Sequence, residues 1–179
     1  MTKKEQLTEA ATDYALERGL IGLSLRPMAA QVGTSDRMLI YHFGSKDELV
    51  AAVLDASNAR SMAYIRAMPP AGSLRQAILD LWSSYTQDVE VQRCQRMYVE
   101  AAALGLLGRE PYASLIRASN ILWIKTLADY LARSGVPGDR TTRIATLVDA
   151  TFNGVFLDRP LDGDAESRRI IEDLADALT

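Results

Sequence analysis

Apolar residues recur along this chain at intervals of three and four, the period of an amphipathic helix, from one end to the other. Leu7, Ala10, Ala11, Tyr14 and Ala15 form one stripe over residues 3 to 18, and Gly19 ends it. Leu20, Ile21 and Leu23 continue the apolar run, after which Ser24 stands where it would cap a second helix. In that helix Met28, Ala29 and Val32 share a face, and Pro27 falls in the first turn, where a missing N–H has no intrahelical partner to lose. Gly33 accepts a positive φ and stops the helix, leaving Thr34 or Ser35 to cap a third. Ser45 and Glu48 have the S-x-x-E spacing of a capping box. The fourth helix they open runs through Leu49, Val53 and Ala56 to about Ala67, where Pro69 and Pro70 block it.

The pattern stays helical beyond Ser73. Leu74, Ala77, Ile78, Leu81, Trp82 and Tyr85 mark a fifth helix, and Val91 to Leu107 a sixth. Gly105 and Gly108 punctuate a loop, and Pro111 opens a seventh helix carrying Leu115, Ile116, Leu122, Trp123, Leu127 and Leu131 to a break at Gly135 and Pro137. Ile144, Leu147, Val148, Thr151, Phe152 and Val155 fit the helical spacing without a gap, and a last helix from about Ala165 carries Ile170, Ile171, Leu174 and Leu178. No strand-like alternation, hairpin signal or internal repeat interrupts this series. The expected fold is all-α, with about nine helices.

Two short helices across a Gly-containing turn match a helix-turn-helix, whose second helix enters the DNA major groove. Ser24, Arg26, Ala29, Gly33, Ser35, Leu39, His42, Phe43, Lys46 and Leu49 carry this further. In those residues the first fifty positions resemble the N-terminal domain of the TetR (tetracycline repressor) family of transcriptional regulators. Three positions depart from that pattern: Ile40 stands where the family usually has Tyr, with Tyr41 following, and Asp36 and Arg37 stand where a basic or polar residue and a small one are more usual. The resemblance implies a DNA-binding domain at residues 1–47 and a helical effector-binding and dimerisation domain at 48–179. Base contacts are expected from Ser35, Asp36, Arg37, Met38 and Tyr41, since Arg in particular can bind guanine bidentately. His42, and Lys46 at the start of the fourth helix, would meet phosphates, with Ser24, Arg26 and Thr34 adding hydrogen bonds.

Charge limits how such a protein can hold DNA. The chain carries a net charge of −3, and residues 1 to 50 hold six basic and seven acidic side chains. Broad, charge-driven nucleic-acid binding is thereby excluded, and a specific binder with a shallow salt dependence is expected. A single Cys rules out an internal disulfide, the N-terminus has no signal-peptide run, and no stretch has the length of a membrane span. A cytoplasmic protein that engages no membrane is expected.

Catalysis finds no constellation here. Cys94 and His42, each the only one of its kind, cannot form a metal site together, and the glycines lack the strand and Gly-Lys-Ser/Thr of a phosphate loop. No enzyme, cofactor or metal is expected. For the second domain the resemblance implies an apolar compartment for a small organic effector, with Trp82, Tyr85, Met97, Trp123 and Phe152 as walls and Tyr98, Glu100 and Asn120 as polar handles. The rival reading makes this domain only a dimerisation or protein-interaction module. The resemblance also pairs the last two helices with their copies in a homodimer, through Leu147, Thr151, Gly154, Val155, Ile170 and Leu174. Such a dimer presents two recognition helices to a pseudo-palindromic operator, most simply as a repressor.

Overall fold

The computed structural model describes residues 1–179, and all of its regular structure is helical. In chain order the elements are α1 (Lys3–Arg18), α2 (Leu25–Gln31), α3 (Asp36–Phe43), α4 (Lys46–Ala67), α5 (Leu74–Gln87), α6 (Val89–Leu106), α7 (Tyr112–Arg133) and α8 (Gly138–Leu178). The last is two helices joined end to end: Gly163, at φ 81°, breaks the helical path near the boundary that the sequence pattern sets before Ala165. Counted that way, the helices number nine.

Local chemistry explains the boundaries. Thr2 and Glu5 form a reciprocal capping box at the start of α1, and Ser35 and Ser73 each accept the N–H three residues on, at the starts of α3 and α5. Ser45 does the same for Glu48 at 3.0 Å. Ser24 departs from expectation. It occupies the N-cap of α2 in an extended conformation, yet its hydroxyl makes no capping bond. Pro27, third in the helix, has no N–H to offer a cap, and the N–H of Arg26, second in the helix, is also left uncapped.

The chain divides into two compact units, Met1–Ser61 with Val89–Asn120, and Met62–Asp88 with Ile121–Thr179. The first has a core of Leu7, Ala11, Ala15, Leu16 and Leu20 from α1 and its loop, Met28 and Ala29 from α2, Leu39 and Phe43 from α3, Leu49, Val50, Val53 and Leu54 from α4, and Cys94, Met97 and Ala101 from α6. In the second unit α5 packs along α8, where Trp82, Tyr85 and Phe152 meet edge to face and stacked with ring centroids 5.1 to 6.3 Å apart. Also in this unit, the Arg133 guanidinium donates to the carbonyls of Ile65 and Met68, placing a cation at the C-terminal end of α4.

Candidate functional site

The reversal between α2 and α3 is built by backbone bonds. The Gly33 N–H donates to Ala30 O at 3.4 Å and the Thr34 N–H to Ala29 O at 2.9 Å, the paired bonds that close a helix when the next residue is left-handed. Gly33 supplies that conformation, with φ 72°. Within α3, Leu39 and Phe43 lie one turn apart, are buried, and anchor the helix to the core. Opposite that inner face Arg37, Met38 and Tyr41 are exposed, Tyr41 to 76%; Ile40 is exposed at its flank, and Asp36, on the same stripe as Leu39 and Phe43, is exposed in the first turn at the helix end.

The ten residues expected at DNA all fall in the first unit. Ser24 and Arg26 are exposed at the start of α2, and Thr34 is half-buried in the turn. Ser35 is exposed, with its hydroxyl engaged as the α3 cap. The Asp36 carboxylate accepts the Arg37 N–H through Oδ1 at 2.9 Å. His42 is half-buried and meets the Tyr41 ring edge-on at 5.2 Å. Lys46 Nζ donates to Leu23 O at 2.6 Å, tying the start of α4 to the loop before α2. One of its three donors is used there, and two remain for another acceptor.

The helix α6 holds this unit from the side through polar contacts that the sequence does not disclose. The Glu100 carboxylate accepts the Leu20 N–H at 2.5 Å and the Ile21 N–H at 3.1 Å. One turn earlier, Arg96 donates to Leu16 O and Glu17 O, at 2.9 and 3.2 Å. A cation therefore meets the carbonyl end of α1, and an anion meets the amides just beyond it. The approach is close enough that a Cβ on Gly19 would lie 2.7 Å from Glu100 Oε2. Toward the other end of α6, the Arg60 guanidinium of α4 bridges Glu9 and Asp13 of α1 and Glu90 of α6. Burial alone would lower the Arg60 pKa, but its bonds to the Glu9 and Asp13 carboxylates outweigh that and raise it.

The residues expected to bind an effector are divided between the units. Trp82, Tyr85 and Phe152 are buried together in the second. Trp123, also there, donates its indole N–H to Asp149 Oδ1 at 2.8 Å. Met97, Tyr98, Glu100 and Asn120 belong to the first unit: Met97 is fully within its core, Glu100 serves the Leu20 and Ile21 amides, and Asn120 Oδ1 is buried with no hydrogen-bond partner. A groove of about 270 Å³ on the second unit is lined by Tyr64, Asp80, Ser83, Ser84, Gln87 and Asp88, a polar set that includes none of the expected residues. Of the expected dimer residues Leu147 and Gly154 are exposed, Thr151, Ile170 and Leu174 half-buried, and Val155 buried.

Asp149 was not singled out by sequence reasoning. Burial raises its pKa, and the bonds from Trp123 and Asn153 pull it part of the way back. A signal existed in both helices. Glu100 adjoins Ala101 and follows Met97 by three, and Asp149 adjoins Val148 and precedes Phe152 by three; a carboxylate set into an apolar stripe calls for partners.

Residues 7–53 match the family model described as bacterial regulatory proteins, tetR family. Over 72 residues the chain is 35% identical to the HTH-type transcriptional repressor Rv3405c of Mycobacterium tuberculosis and to the HTH-type transcriptional regulator Mb3439c of Mycobacterium bovis. Those alignments take in 40% of this chain and 38% of each relative's length. Among solved structures, a transcriptional regulator from Rhodococcus sp. Rha1 superposes with a TM-score of 0.77 at 24% identity, covering 98% of this chain and 95% of that one. The multidrug binding protein EbrR, complexed with imidazole, and a transcriptional regulator from Saccharomonospora viridis, in complex with choline, each give 0.68, at 22% and 14% identity. Each pairing covers 98% of this chain and 94% of the other. At these identities the structural likeness is one of fold.

Proposed function

We propose, from the match of residues 7–53 to the model of bacterial regulatory proteins, tetR family, that this chain is a TetR-family protein and a dimeric one-component transcriptional regulator, a repressor that leaves its operator when a small organic effector binds. The observation that carries the reading is the α2–turn–α3 arrangement at residues 25–43. Its recognition helix is anchored by Leu39 and Phe43 and exposes Asp36, Arg37, Met38 and Tyr41. The N-terminal helices through residue 47 read DNA, and residues 48–179 dimerise and sense the effector. Arg37 and Tyr41 meet base edges, while Lys46, His42, Arg26, Ser24 and Thr34 hold phosphates and set the register. No helix is long and apolar enough to cross a membrane, and the protein acts in the cytoplasm where its DNA lies.

The effector half of the reading rests on the buried aromatic group of Trp82, Tyr85 and Phe152 and on the two structural neighbours described with imidazole and choline. Such a molecule acts only if it binds the arrangement unfit for DNA better than the fit one, since equal affinity for both shifts nothing. The exposed Leu147, Leu157 and Leu161 on α8 support self-association. Selection of bound fragments from random DNA at two salt concentrations, with sedimentation at micromolar protein, tests the reading. The expected results are a pseudo-palindrome, with half-sites about 34 to 36 Å apart or a wider spacing set by the dimer, and a dimeric mass. A monomer with no preferred sequence would overturn it.

A further inference from the structure

We infer that Asp36 is a specificity-determining residue that selects cytosine in each half-site, an inference that rests on the proposed DNA-reading role of α3. Asp36 is the first residue of α3 and is exposed at its N-terminal end, the part of a recognition helix that reaches base edges. Its orientation is held locally: Oδ1 accepts the Arg37 N–H at 2.9 Å, while the neighbouring Ser35 hydroxyl caps the helix by accepting the Met38 N–H at 3.2 Å. The second carboxylate oxygen is left to a partner outside the helix.

What that partner can be follows from charge. A carboxylate only accepts hydrogen bonds, so the phosphates on either side of a groove repel it and the acceptors on guanine offer it nothing. The donors exposed in the major groove are the exocyclic amines of cytosine and adenine. On adenine the amine lies beside N7, an acceptor that repels a second anionic oxygen; cytosine has no such neighbour on its own edge. Arg37, next along the helix and also exposed, presents donors suited to guanine O6 and N7. The adjacent acid and base therefore suit a G·C-containing step, with Asp36 on the cytosine amine. This also gives the unusual acid a use: it lowers affinity for DNA in general while adding to discrimination, in a domain that already lacks a positive surplus.

The test compares the wild type with Asp36→Asn and Asp36→Ala by sequencing fragments selected from random DNA, and by measuring binding to the selected site and to scrambled duplex. Wild type should require cytosine at one position per half-site. Asp36→Ala should lose about tenfold of that discrimination while binding scrambled duplex a few-fold more tightly, because one repulsive charge is gone. Asp36→Asn keeps an oxygen for the Arg37 N–H but sets an NH2 donor where the second carboxylate oxygen stood, so the preferred base should change from cytosine to one that offers an acceptor there, guanine or adenine through N7 or thymine through O4. A purely structural role at the helix terminus predicts something else: Ala would weaken binding to every duplex alike, and Asn would restore it. That pattern, or an unchanged cytosine preference in both variants, overturns the inference while leaving the regulator reading intact. A wild-type protein that selects no sequence overturns both.

Discussion

Replacing Glu100 tests whether α6 holds the first unit in the way its polar contacts suggest. The Glu100 side chain is 18% exposed, and its carboxylate is the acceptor for two backbone N–H groups, those of Leu20 and Ile21. The two amides are not equivalent. Leu20 is 2% exposed, so Glu100→Ala leaves a buried donor without its partner, at a cost of about 1–3 kcal/mol. Ile21 is 67% exposed and its N–H rehydrates, so that bond adds a few tenths at most. Loss of the one partly buried methylene, Cγ, adds up to about 0.8 kcal/mol and brings the total to about 2–4 kcal/mol. At roughly 2–4 °C per kcal/mol for a chain of this size, the melting temperature should fall by about 4–16 °C. Glu100→Gln keeps one acceptor oxygen and gives up only the charge, so it should cost about 1 kcal/mol. Urea unfolding and amide hydrogen exchange give the readouts, and faster exchange should be confined to the loop at Leu20 and Ile21 in the Gln variant. Because Glu100 carries no positive charge to pair with a phosphate, operator affinity should drop without a change in salt slope. An alanine variant within about 0.5 kcal/mol of wild type, or an unchanged Leu20 exchange rate, would refute the reasoning.

Gly19→Ala should destabilise by about 2 kcal/mol or more, since φ 85° with ψ 174° is nearly reserved to glycine and the new Cβ meets the Glu100 carboxylate; in a Glu100→Ala background the steric part disappears, so a double-mutant cycle should show the two costs to be less than additive. Arg60→Ala leaves Glu9, Asp13 and Glu90 facing one another, and the expected loss of about 1–2 kcal/mol should shrink as salt is added, in denaturation series at low and high ionic strength. Asp149, whose pKa burial raises, binds its proton more tightly folded than unfolded; its contribution is present in acid and is lost as pH rises through the raised value, so Asp149→Asn should flatten that part of the stability profile and be neutral or stabilising at pH above it. Lys46→Ala should weaken binding to all duplexes alike and reduce the salt slope by about one, whereas Arg37→Ala should relax preference at one base pair, both read from filter-binding titrations on specific and scrambled DNA.

Much of the fold was legible because its determinants are local. The stripe over residues 3 to 18, the stop at Ala67 before Pro69 and Pro70, and the cap at Ser35 all depend on residues within a turn or two of one another, and all stand in the structure as the pattern implies. At Ser24, too, one part of the missing cap is local, since Pro27 three residues on offers no N–H. The exposure of Arg37, Met38 and Tyr41 on α3 was legible for the same reason: with Leu39 and Phe43 as the inner face, these three fall outward by the period of the helix.

Partnership over distance was not legible. That Glu100 should serve amides eighty residues earlier, that Arg60 should gather carboxylates from α1 and α6, and that Asp149 should be held by an indole from α7 leave no periodic trace in the chain. A carboxylate on an apolar stripe announces that it needs a donor, but many donors along the chain would satisfy the same rule, and packing selects among them. The sequence by itself therefore determined the helices, most of their ends and the outward face of α3, because hydrogen bonds and side-chain periodicity act over three or four residues. Only the tertiary structure decided which buried charges meet which backbone groups, and so which helix steadies the first unit, because desolvation and close approach depend on distances that the chain sets only when it folds.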